Sequence, residues 1–108
     1  MAPVVLTDAD NGRPVTVTVG AHVTLVLAST YWTVDPMPGG SVLRSDGPPV
    51  TTSKLGHCVA GQGCGTVTAA YTAVTPGTVV VSAVRTVCGE ALACSATQRS
   101  YRVPVTVR

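Results

Sequence analysis

The sequence predicts an all-β fold, an immunoglobulin-like sandwich of seven to eight strands, and three observations carry that prediction. The 108 residues hold 21 valines and 16 threonines, about a third of the chain. Such β-branched side chains are stiff at χ1 and pack well on a pleated surface. Eleven glycines and eight prolines supply turn positions. Apolar residues alternate at period two in several short runs, bounded by breaker clusters at the roughly 8–12-residue spacing of sandwiches. No run has a useful helical period. A barrel is the alternative closure, and the length predicts one domain over 1–108.

The strands follow in order. Val4 to Thr7 is a brief apolar opening, and Asp8-Ala9-Asp10-Asn11-Gly12-Arg13-Pro14 is a turn dense in breakers. Val15 to Val19 alternates Val with Thr. After Gly20-Ala21, Val23, Leu25 and Leu27 share one face, opposite His22, Thr24 and Val26. Tyr31-Trp32-Thr33-Val34 is a short aromatic strand, followed by a Pro/Gly loop from Asp35 to Gly40. Val42-Leu43-Arg44 is a weak strand stopped by Asp46-Gly47-Pro48-Pro49. Val50 to Gly65 has no long alternation. Thr66 to Val74 turns Val67, Ala69, Tyr71 and Ala73 to one face. Thr75-Pro76-Gly77 is a turn, Thr78 to Val87 a strand, and Gly89 to Ser100 a loop. Tyr101, Val103, Val105 and Val107 alternate inward in the last strand. Pro104 lacks a ladder donor, so it belongs at an edge or a bulge.

Composition excludes several classes. Only 11% of residues are charged and mean hydropathy is +0.39, which excludes a disordered chain. No apolar run approaches the roughly 18 residues of a membrane span. Net charge is +2 and the basic residues are scattered, without the basic patch and stacking aromatics of a nucleic-acid binder. Phe is absent, so aliphatic side chains build the core. Trp32, the single tryptophan, is the expected core anchor. Its neighbour Tyr31 then points to the opposite face.

The cysteines fix the compartment. Cys58, Cys64, Cys88 and Cys94 form two runs of identical spacing. An even count in a small Gly/Thr-rich domain reads as two disulfides and an oxidising, secreted setting. Zinc sites space their cysteines closer than this. Met1-Ala2-Pro3 reads as a start methionine ahead of a mature secreted segment, with no signal peptide. Equal gaps, each with a glycine, favour the local pairing Cys58–Cys64 and Cys88–Cys94. The nested pairing and the crossed pairing stay open.

Strand order and punctuation resemble the chagasin family of cysteine-protease inhibitors over nearly the whole chain. Asp8 to Gly12 followed by Val15-Thr16-Val17 resembles the family's opening, and Val19 to Leu27 its second strand. Tyr31-Trp32 resembles the aromatic pair after its first inhibitory loop. Gly61-Gln62-Gly63-Cys64-Gly65-Thr66 resembles its glycine-rich second loop, Thr75-Pro76-Gly77-Thr78 its "PGT" turn, and Arg102 to Val107 its last strand. The first loop here runs Leu27-Ala28-Ser29-Thr30-Tyr31 in place of the family's Asn-Pro-Thr-Thr-Gly. The third opens Arg85-Thr86-Val87-Cys88 in place of Arg-Pro-Trp. Small exported immunoglobulin-like domains of actinobacteria look similar too, in their Arg-over-Lys and Val/Ala bias.

The resemblance implies a secreted protein-binding module that occludes a papain-like active site with loops from one end of the sandwich. Ser29, Thr30 and Tyr31, then Gly61, Gln62 and Gly63, then Glu90, Ala91 and Leu92 are the expected contacts. A structural immunoglobulin-like domain of an exported or cell-surface protein, with no inhibitory activity, is the other expectation. The chemistry argues against an enzyme. His57-Cys58 is the only His/Cys neighbour pair, and a bridged Cys58 offers no thiolate nucleophile. Asp8, Asp10 and Asn11 cap a turn and are too few for calcium's six to eight oxygens. Neither cofactor nor metal is expected, and the partner is a protein met by a monomer.

Overall fold

The computed structural model describes residues 3–37, 41–53, 63–89, 92–95 and 97–108. The strands are β1 (Val4–Leu6), β2 (Val15–Val17), β3 (His22–Ala28), β4 (Thr33–Val34), β5 (Leu43–Ser45), β6 (Val50–Ser53), β7 (Gly65–Ala73), β8 (Gly77–Val84), β9 (Val87–Gly89), β10 (Leu92–Ala93) and β11 (Ser100–Val107). One sheet runs β1-β3-β7, with β5 and β6 both on the far side of β7, and the other runs β2-β11-β8-β4. This is the strand arrangement of an immunoglobulin-like sandwich. β1 lies parallel to β3 and β2 parallel to β11, so the chain's opening limb feeds one sheet and then the other. The remaining pair, β9 and β10, forms a small hairpin.

The core follows from the alternation. Val23, Leu25 and Leu27 of β3 are fully buried, and so are Val81 of β8 and Val103 and Val105 of β11. Val67, Ala69, Tyr71 and Ala73 of β7 lie beside the β3 residues on the same inner face and complete the cluster. Each wholly buried Val or Leu contributes about 1.5–3 kcal/mol of transfer free energy. Val at alternate positions therefore suffices where Phe is lacking. Trp32 is 7% exposed and packs edge-on to Tyr101, with centroids 6.4 Å apart. The tryptophan belongs to the buried core, as the lack of other large rings implied.

Four local expectations are revised. The Val15–Val19 run ends as a strand at Val17, and Val19 is exposed. The pairing of β2 with β11 runs only to Val17, and Ala21 takes the inward place instead. The aromatic strand shrinks to Thr33–Val34, because Tyr31 turns out into a loop. Residues 50–53, without alternation, nonetheless form β6 on the edge of β7, held by backbone pairing while every side chain is exposed. β8 stops at Val84 instead of Val87.

Pro104 sits in β11, between β2 and β8, paired with Val80. Arg102 and Arg108, of the same parity, direct their backbone groups away from β8: Arg102 bonds Asn11 and Gly12, and Arg108 bonds Val17 and Val19. Pro104 therefore faces away from β8 as well. Pairing with β2 starts only at Val105. The missing N–H falls in the gap between the turn and β2, so an interior strand tolerates a proline through a local edge.

Candidate functional site

Strand register gathers three connections at one end. Ala28, the last residue of β3, pairs with Thr66 at the start of β7. Thr33 at the start of β4 pairs with Val84 at the end of β8, and Val84 pairs with Ser100. The first loop, 29–32, therefore crosses from one sheet to the other beside the approach to β7 and beside the 85–99 connection.

The first and second loops are joined backbone to backbone. Ser29 N–H donates to the Gly65 carbonyl (3.0 Å), and Thr30 N–H donates to the Gly63 carbonyl (2.9 Å). Tyr31 N–H donates to Ser29 Oγ at 3.1 Å. Ser29 holds φ at 117°, a region few L residues adopt, at about 1–3 kcal/mol of strain. The flanking hydrogen bonds fix it there. Two glycines make the fit possible. Gly63 has φ at 67°, and a Cβ there would meet the Tyr31 ring at 2.5 Å. Gly65 has φ at 136°, and its Cβ would collide with the Thr52 carbonyl. Gly63 thus lets Tyr31 lie on the second loop, and Gly65 lets that loop pass close to β6.

Trp32 ties this pair to the third loop. Its Nε1–H donates to the Ala28 carbonyl (3.2 Å), where the first loop leaves β3. The Arg85 guanidinium lies 4.3 Å above its ring, inside cation–π range. Arg85 Nε donates to the Gln98 carbonyl (2.9 Å) and its backbone N–H to the Arg99 carbonyl (3.0 Å), closing the base of the third loop. Asp8 accepts the Ala28 N–H at 2.9 Å, so the opening turn also braces the first loop. Asp10 accepts the Thr7 N–H at 2.8 Å. Asp10 thus caps its own turn, as expected, whereas the Asp8 side chain reaches across to the first loop. Tyr101 donates its hydroxyl to the Thr7 carbonyl. Burial, then the charges of Asp10 and Asp8, push its phenol up to about 12.

The third loop folds into the β9–β10 hairpin. A Cys88–Cys94 disulfide spans it, with Cα atoms 5.0 Å apart, and Cys94 N–H donates to the Thr86 carbonyl. This bridge is the local pairing, so the nested and crossed alternatives, both of which use Cys88 elsewhere, do not occur. Cys64 is also disulfide-bonded. Cys58 and His57 lie outside the described residues, as do Gly61, Gln62, Glu90 and Ala91. Of the expected contacts, Ser29, Thr30, Tyr31 and Gly63 come together directly. Leu92 lies on the adjacent hairpin in β10.

Arg85, Gln98 and Asp8 brace the three loops, and sequence reasoning missed all of them in that role. The alternation of β8 runs on through Val87 and hides the exit at Arg85. Gln98 and Asp8 act across long sequence separations that no local pattern reports. Among the described residues no group of His, Cys, Asp and Glu could hold a metal ion, and no helix is long and apolar enough to cross a membrane.

No protein-family model matches this chain, and no curated protein does. Solved structures do. The cysteine protease inhibitor EhICP2 from Entamoeba histolytica superposes with a TM-score of 0.70 at 12% identity, covering 100% of this chain and 97% of that one. The solution structure of amebosin gives a TM-score of 0.65 at 18% identity, with 100% of both chains covered. At these identities the likeness is one of fold, and at that level it bears out the resemblance to the chagasin-like inhibitors: this chain shares the two-sheet, immunoglobulin-like sandwich of those structures.

Proposed function

We propose that this chain is an exported protein-binding module that inhibits a papain-like cysteine protease by occlusion. The observation that carries the reading is the joining of three loops into one braced edge: Tyr31 on Gly63, Ser29 and Thr30 bonded to the second loop, and Arg85 over Trp32. A surface ordered before binding loses little entropy on contact, and the Cys88–Cys94 bridge fits both that role and an oxidising compartment. Ser29 to Tyr31, Gly61 to Gly63 and Glu90 to Leu92 enter the cleft. A protease cleaves an extended segment, and the first loop cannot extend. The N–H groups of Ser29, Thr30 and Tyr31 are all bonded within the loops, and Ser29 is held at a positive φ. The segment therefore fills the cleft without presenting a scissile bond. The likeness to EhICP2 supports this choice of partner.

Titration of active papain and of a trypsin-like protease with the purified chain tests the reading. Nanomolar inhibition of papain alone is the expected result. Inhibition of the serine protease instead would replace the target class. No inhibition of either at micromolar concentration would leave an exported spacer module.

A further inference from the structure

The outer face of the β2-β11-β8-β4 sheet carries one charge of each sign flanking Ser82. Val81, Ala83, Val103 and Val105 are buried, so Val80, Ser82 and Val84 of β8 and Arg102 and Pro104 of β11 point outward. Arg102 pairs with Ser82, and Pro104 with Val80. On the other side of β8, Thr33 pairs with Val84, and Asp35 N–H donates to the Ser82 carbonyl (2.9 Å). Ser82 Oγ donates to Asp35 Oδ2 (2.7 Å), which holds the carboxylate on this face. Asp35, Ser82 and Arg102 therefore make one row across the sheet, with the backbones of the two charged residues about 10 Å apart.

Neither charge meets an opposite charge within the chain. Among the described residues the one ion pair is Arg44–Asp46 (3.5 Å), and it lies on the other sheet, where Arg44 pairs with Thr72. The rest of the row's surroundings are small and uncharged. Val80 and Pro104 are half-buried, Val84 is 46% exposed, and the Thr78 and Thr106 hydroxyls bond each other (3.2 Å). Small side chains leave a face onto which a second sheet can pack at about 10 Å. Four strands about 4.8 Å apart, the longest about 27 Å, offer roughly 500 Å² per chain. A pair of chains then buries about 1,000 Å², the lower limit of a specific interface.

We propose that two copies of this chain associate through this face, about a two-fold axis lying between them and parallel to β8. Such an axis sets Asp35 of each copy over Arg102 of the other, and brings Val80 and Val84 against their own counterparts, so that every charge contact is made twice. A slip along the strands separates both pairs, which fixes the register. The axis preserves strand direction, so both three-loop edges point the same way. The modest area makes the dimer weak, and the monomer expected from the sequence is its dilute form.

The test is sedimentation equilibrium of the whole chain at low salt, from about 10 μM to about 1 mM. The average mass should rise from 10.9 kDa toward twice that value. Over the same range, amide signals of nitrogen-15-labelled chain should shift at Thr33, Ser82, Val84 and Arg102 and stay fixed at Thr24 and Thr68, which pair along the other sheet's outer face. Asp35→Arg and Arg102→Asp each set like charges across the axis, and each should weaken association at least ten-fold. An equimolar mixture of the two variants restores both pairs and should associate at least ten-fold more tightly than either variant alone. The proposal is overturned by a mass that stays at one chain, by shifts confined to other residues, by variants that associate as the parent does, or by a mixture no tighter than its components. The concentration series needs no variant, and protease inhibition bears on none of these outcomes.

Discussion

The two ends of this sandwich are held by different means. Along β3, β7, β8 and β11 the chain is secured by side-chain pattern: Val, Leu and Ala at every second position, fully buried, with Thr and Ser outside. Among the described residues of the loop-bearing end no aliphatic side chain is buried. There the structure rests on backbone N–H groups reaching across loops, on Ser29 at a positive φ, on glycines admitting Tyr31, and on one arginine over one tryptophan. Aliphatic burial is non-directional and tolerates volume-conserving change. Directed contacts fix a surface, and each has few substitutes. The part of the molecule that sets the fold is therefore redundant, and the part that presents the loops is not.

Trp32 belongs to both regions and gives the largest expected effect. Trp32→Ala should lower unfolding free energy by about 3–5 kcal/mol, read by denaturant titration. A loss below about 1 kcal/mol would show that the ring contributes little to the core. Next comes the hairpin bridge. Replacing both Cys88 and Cys94 by Ser should lower stability by about 2.4 kcal/mol on the chain-entropy estimate for so short a loop. Protease inhibition should weaken more than stability does. Proportionate losses would mean that the bridge serves the fold alone.

Gly63→Ala sharpens the contrast. The added methyl meets the Tyr31 ring, and the left-handed backbone disfavours it, at about 1 kcal/mol. Hydrogen exchange should accelerate at Thr30 and Ser29 while the amides of β3 and β11 keep their protection. Uniform acceleration would show that the loops and the strands open together.

The smallest effect is confined to high pH. The Tyr101 phenol, pushed up to about 12 from its ordinary value of 10.0, keeps its proton in the folded chain while the unfolded chain releases it. Stability contributed by this group is fully present below pH 10 and is lost as pH climbs toward 12. Tyr71 is shifted in the same direction. Tyr101→Phe should therefore reduce, without abolishing, the fall in stability over that range. An unchanged slope would remove Tyr101 from the account.

What was legible in the sequence divides along the same line. The faces of β3, β7 and β11 were readable residue by residue, because burial on one side of a strand imposes alternation. β6 was not readable, since an edge strand with no buried side chain leaves no hydrophobic signature. The convergence of Ser29, Thr30, Tyr31 and Gly63 was expected from the family resemblance and from the geometry of a sandwich. The roles of Arg85 and Asp8 were not, because each contact joins residues far apart in sequence and follows no period.

The most direct test is to map the contact surface itself. Nitrogen-15-labelled chain should be titrated with papain whose active-site thiol has been blocked by a small group. Shifts or line broadening at Ser29, Thr30, Tyr31 and Gly63 and along the β9–β10 hairpin, with Val5, Val19 and Val50 unaffected, is the result expected of a braced three-loop surface. Binding through the sheet faces, or none at concentrations that saturate an inhibitor of this class, would contradict it.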